Sequence, residues 1–164
     1  MKALVAGWFS FSDGHATAGD VLAGDVVAQW LADAQIPCDV AIVPPMGQGI
    51  DWRTADPQAY THVVFVCGPF QRGELECSFF TRFAGCRLVG VDLTMLEPLT
   101  AWNPFDHLIE RDSDRRVHPD IAQDLEEAAR LADADRADTR SEGLERHVVV
   151  DPARVHRVVH ALEQ

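Results

Sequence analysis

Apolar positions in this chain come in two forms: short unbroken runs, and longer stretches in which they recur every three or four residues. Ala3-Leu4-Val5-Ala6 is the first run, closed by Gly7. A run this apolar predicts a strand covered on both faces, as in a parallel sheet. A polar loop from Ser10 to Ala18 follows, and Gly19-Asp20 opens a segment with Leu22, Val26 and Trp30 at i, i+4, i+8 and Val27 and Leu31 beside them. That spacing predicts a helix with one buried face. Asp39-Val40-Ala41-Ile42-Val43 predicts a second strand, stopped by Pro44-Pro45. Residues 46–60 are turn-rich, with Gly47, Gly49 and Pro57, and read as a functional loop or a short helix. His62-Val63-Val64-Phe65-Val66-Cys67 is the clearest strand, ended by Gly68-Pro69. Gly73-Glu74 leads into a helix through Phe79, Phe80 and Phe83, with Gly85 as its C-cap. Strands are predicted over 87–93 and 107–110, with a loop over 97–104 between them.

From Pro119 the pattern changes. Residues 120–137 predict a helix with a thin apolar face of Ile121, Leu125 and Leu131, and 138–146 read as a polar linker. His147-Val148-Val149-Val150 predicts a strand. Asp151-Pro152 then caps a last helix striped by Val155, Val158, Val159 and Leu162. Strands alternating with helices predict a single Rossmann-like α/β domain over 1–164, three-layered with a mainly parallel sheet and a core over about 2–118. In such open sheets ligands collect at the carboxyl ends of the strands, which makes the first loop the expected site.

Charge and cysteine usage narrow the function classes. With 26 Asp and Glu against 14 Lys and Arg, the net charge of -12 argues against a phosphate-backbone partner, so no nucleic acid is expected. No apolar run reaches the ~20 residues of a membrane span, and the first strand begins without a signal-peptide pattern. Cys38, Cys67, Cys77 and Cys86 form no Cys-x-x-Cys pair. Reduced thiols in a cytoplasmic protein without a zinc site are expected.

The candidate chemistry gathers at strand ends. Gly19 at a helix start permits close approach of a ligand, and Asp20 is a catalytic candidate, a ligand group or a plain N-cap. Ser12, Asp13 and Gly14 belong to the same loop as candidate binding residues, and His15 is a candidate acid or base or a solvated histidine. Gly7, Gly14 and Gly19 lack the Gly-x-Gly-x-x-Gly spacing of a dinucleotide site, so no cofactor is expected. Cys67 follows the central strand, where a nucleophile could stand, but without a Gly-x-Ser-x-Gly elbow it reads as a buried small apolar residue rather than a thiolate. Arg111 ends the fifth strand and suits a phosphate or carboxylate, or belongs to a solvated cluster with Asp114, Arg115 and Arg116. Trp8, Phe9 and Phe11 either line a sugar or base site or pack the loop. His156 and His160 read as a surface pair.

Three of these stretches together resemble the amino-terminal half of the polysaccharide pyruvyl transferase family: Thr17-Ala18-Gly19-Asp20, Cys67-Gly68-Pro69 and Arg111-Asp112-Ser113. The likeness runs from Lys2 to about Asp114, with Thr17 where the family has Asn. It implies one half of a two-domain, glycosyltransferase-like enzyme that moves a pyruvyl group from phosphoenolpyruvate onto a sugar. The family's Arg-Leu-His motif, with its cationic residues for phosphoenolpyruvate, occurs nowhere in the 164 residues. The resemblance therefore implies the half that binds the sugar acceptor, inactive alone, with a sugar or nucleotide-linked small molecule as ligand and a second polypeptide supplying the rest. The same cleft without chemistry, as a nucleotide- or sugar-binding module, and a structural subunit of a split enzyme are the rival readings. The cleft is expected from the loops 10–20, 44–52, 68–73 and 93–103.

Overall fold

The computed structural model describes residues 1–12, 16–111 and 152–163. Five strands form one sheet: β1 (Ala3–Gly7), β2 (Cys38–Val40), β3 (His62–Phe70), β4 (Arg87–Met95) and β5 (His107–Glu110). All pair in parallel, in the order β2-β1-β3-β4-β5. Three helices accompany them: α1 (Ala18–Asp33), α2 (Glu74–Arg82) and α3 (Pro152–Glu163). This is the doubly wound α/β architecture expected of unbroken apolar strands, which need cover on both faces.

Alternation along β1 assigns the two cores. Ala3 and Val5 face α1, where Val27, Trp30 and Leu31 are fully buried, and the same cluster takes in Val158 and Leu162 of α3. Leu4 and Ala6 face the opposite layer, where Phe79, Phe80 and Phe83 of α2 meet Phe65, Trp52 and Phe105. Phe65 and Phe79 lie 6.0 Å apart edge-to-face, and Trp52 and Phe79 5.3 Å apart in the same manner, a favoured arrangement of aromatic quadrupoles. Phe9 and Phe11, grouped with Trp8 by sequence, are split between these two cores.

Several boundaries differ from expectation. The helix opening at Gly19-Asp20 is α1, and its N-cap is Thr17, so Asp20 is not the cap. The Thr17 hydroxyl accepts from the Asp20 N–H at 3.4 Å, and the Asp20 carboxylate accepts from the Thr17 N–H at 2.6 Å, a reciprocal box. β2 stops at Val40 rather than Val43, since β1 gives way to a 3-10 turn over Trp8–Ser10; beyond it Ala41 still donates to the Val5 carbonyl and Val43 to that of Phe9. β3 does not end at Gly68-Pro69 but continues to Phe70. Cys67 (φ 50) and Gly68 (φ 93) kink it, Asp92 (φ 59) kinks β4 at the same level, and pairing resumes with Gly68 opposite Leu93. Gly85 is not the C-cap of α2: Phe83 ends it, its ring buried and its N–H bonded to the Phe79 carbonyl. The helix expected over 120–137, the linker 138–146 and the strand 147–150 lie outside the described residues.

All four cysteines are free thiols, and no helix among the described residues is long and apolar enough to cross a membrane. His62, at the start of β3, is buried, with Nδ1 2.8 Å from the Thr61 hydroxyl. Burial first, and then the Arg87 charge, hold its pKa below the ordinary 6.5. The folded protein thus keeps this ring neutral where the unfolded chain has already taken a proton, so stability is full above pH 6.5 and falls as the pH drops below it. His62→Gln is expected to flatten that acid-side slope, read from urea midpoints on either side of pH 6.5. An unchanged slope would assign the acid sensitivity to other groups.

Candidate functional site

In a sheet of this order the chain leaves β1 in one direction and β3 in the other, which opens a crevice between their carboxyl ends. A cleft of about 470 Å³ lies there. Thr17, Gly19, Asp20 and Ala23 of the α1 start form one wall, and Cys67, Gly68 and Pro69 of β3 another. Trp8, Gln71, Glu76, Leu96 and Arg111 complete it.

Asp20 is held from two sides. Its Oδ2 accepts from the Thr17 N–H and, at 2.8 Å, from the Thr17 hydroxyl. Its Oδ1 accepts the Cys67 thiol proton, with Sγ 3.0 Å away. The left-handed backbone at Cys67 aims the thiol at α1, 47 residues earlier in the chain. Burial first, then the hydrogen bond and charge of Asp20, push the Cys67 thiol far up, while Arg111 opposes the shift weakly. Cys67 is therefore a neutral donor at physiological pH, not a thiolate nucleophile.

Arg111 is fixed by Asp92, which accepts from Nε at 3.1 Å and from Nη2 at 2.8 Å. Asp92 is 3% exposed and stands at the left-handed kink of β4. A guanidinium held this way has a set orientation, since its planar fork is matched to one carboxylate. Trp8 brings its indole edge to Gly68; its Nε1 is buried with no hydrogen-bond partner among the described residues.

The residues singled out from sequence fare differently. Gly19, Asp20, Gly68 and Arg111 meet in the cleft. Ser12 does not: with Trp52, Arg53 and Arg82 it lines a separate surface groove on the α2 side. Asp13, Gly14 and His15, and likewise Asp112 and Ser113, lie outside the described residues. The stretch 44–52, expected to border the cleft, contributes none of its lining; Trp52 packs into the aromatic core instead. His160 is exposed, and among the described residues no His, Cys, Asp and Glu form a group able to hold a metal ion.

No family model, no curated protein and no solved structure matches this chain.

Sequence reasoning missed Glu76 and Asp92. Glu76 had a legible signal: it stands at the helical spacing of Phe79, Phe80 and Phe83, so it occupies an inward position of α2 where an apolar residue is the rule. Asp92 had a weaker one, a single acid inside the otherwise apolar run of β4.

Proposed function

We propose that this chain is the sugar-binding half of an enzyme of the polysaccharide pyruvyl transferase type, holding the acceptor in the switch-point cleft and not turning over by itself. The observation that carries this reading is the convergence of Gly19, Asp20, Gly68 and Arg111, from three separate resembling stretches, on one cleft. Sugar hydroxyls are donors that suit carboxylates, and the cleft is bordered by Asp20 and Glu76. Its size fits a small ligand rather than a polymer buried along its length.

The charge balance supports the second half of the proposal. Phosphoenolpyruvate carries a phosphate and a carboxylate, and a site for it needs several cations converging on one volume. Arg111 is the single cationic side chain in the described lining, and Asp92 already offsets it at 2.8 Å. The chain mixed with phosphoenolpyruvate and a panel of galactosides and nucleotide sugars is expected to bind sugar but to release no phosphate above background. Turnover should appear on adding a second, more basic polypeptide. Phosphate release by the chain alone, lost in Arg111→Ala, would overturn the half-enzyme reading.

A further inference from the structure

Two carboxylates, Asp20 and Glu76, line the cleft, and a third, Asp92, holds the guanidinium of its lining; Asp20 and Asp92 are engaged by the protein itself. Asp20 is taken by Thr17 and Cys67, and Asp92 by Arg111. Glu76 is different. It is 7% exposed and lines the cleft, and no hydrogen bond or ion pair reaches it from the described residues. Its acceptor oxygens, claimed by no donor among those residues, are left to whatever enters the cleft.

Its position is imposed by the fold. Glu76 is the third residue of α2, and the buried Phe79, Phe80 and Phe83 set the rotation of that helix and turn Glu76 inward. Gly73, the N-cap, leaves the space that the side chain occupies: a Cβ on residue 73 would overlap the Glu76 carboxylate. The local field also has a sign. Asp20 and Glu76 line the cleft beside a single guanidinium that Asp92 already engages, so the enclosure favours hydrogen-bond donors and opposes a second anion.

We infer that Glu76 is the ligand-contacting carboxylate of the cleft, accepting hydrogen bonds from the ligand and selecting against ligands that bring their own negative charge. Resting on the sugar-binding reading, the donors are two neighbouring hydroxyls of an uncharged sugar ring, one to each carboxylate oxygen. Sugars carrying a phosphate or carboxylate are the rejected class. Glu76 thus determines specificity at a site where Gly19 and Gly68 supply room and Asp20 supplies a second acceptor.

The test is an NMR titration of the isotope-labelled chain, following the Gly68 and Glu76 amides. The probes are methyl β-galactoside, methyl β-glucoside, galacturonate, galactose 6-phosphate and, as a non-sugar donor, the Tris cation. The wild-type chain should bind the neutral glycosides at least about tenfold more tightly than the two anions. Glu76→Gln should weaken the glycosides by about tenfold and narrow that gap, because a charge-assisted acceptor becomes a neutral amide. Without ligand, Glu76→Gln should melt within about 4 °C of wild type, since only the attraction between a first-turn carboxylate and the helix dipole is lost; a larger fall would make Glu76 a structural group and overturn the inference. Glycoside binding equal in the two proteins, or anions bound as well as glycosides, would also overturn it while leaving the sugar reading intact. If no glycoside binds but the Tris cation shifts the wild-type amides and not those of Glu76→Gln, the sugar reading falls and the role of Glu76 stands. Silence from every probe overturns both.

Discussion

Gly68→Val is expected to lower the melting temperature by about 10 °C. Residue 68 sits at φ 93, a conformation that costs a residue with a Cβ about 1–2 kcal/mol. A Cβ there would also stand 2.6 Å from Trp8 Nε1. The indole has little freedom to retreat, because it packs against Phe11, Phe65 and Phe70 at centroid distances of 6.0, 6.1 and 6.3 Å. Forcing such a core apart costs about 1–3 kcal/mol. The two effects together come to about 3–4 kcal/mol, and each kcal/mol shifts a domain of this size by roughly 2–4 °C. Circular dichroism melts of the two proteins make the comparison. A variant within about 2 °C of wild type would mean that the kink after Cys67 relaxes without cost and is not needed for folding.

Gly19→Val should behave in the opposite way, losing ligand and keeping the fold. The nearest atom to a Cβ at residue 19 is Thr17 Oγ1 at 3.4 Å, so the protein has room for one. The reciprocal bonds between Thr17 and Asp20 do not involve the residue 19 side chain, and the helix start survives. Valine in the first turn of a helix changes stability by less than about 1 kcal/mol relative to glycine. Yet residue 19 lines the cleft, and its new methyl groups would occupy ligand space. A misfit of about 1–3 kcal/mol corresponds to roughly ten- to hundredfold weaker binding. Titration of methyl β-galactoside into both proteins, with their melts alongside, reads the split. Loss of folding in step with binding would leave Gly19 with a structural role only.

These two glycines also mark how far local reasoning reached. Gly19 is a candidate from its place at a helix start, and Gly68 from the resembling stretch that follows the third strand. The sequence did not distinguish them, because whether a Cβ meets an indole or open space depends on residues far along the chain. The same holds for the end of β3. Gly68-Pro69 is a strong local stop, and β3 nevertheless runs to Phe70, because the matching kink at Asp92 keeps β4 in register beside it. Local punctuation is overruled where a neighbouring strand offers hydrogen bonds beyond it.

By itself the sequence determined the existence of the five described strands and of the helices α1, α2 and α3, and it determined that both faces of the sheet are covered. Unbroken apolar runs such as Val63 to Val66 and stripes such as Val26, Val27, Trp30 and Leu31 bury themselves in only one kind of architecture, and their period is a property of the local chain. Only the tertiary structure decided the order β2-β1-β3-β4-β5, and with it the place of the cleft. It alone brought the Cys67 thiol to Asp20 across 47 residues and Arg111 to Asp92 across 19, and it left Glu76 buried without a partner among the described residues. Such meetings arise from packing between elements. No periodicity within an element records which strand lies beside it, nor whether a carboxylate turned inward by its helix finds a donor there.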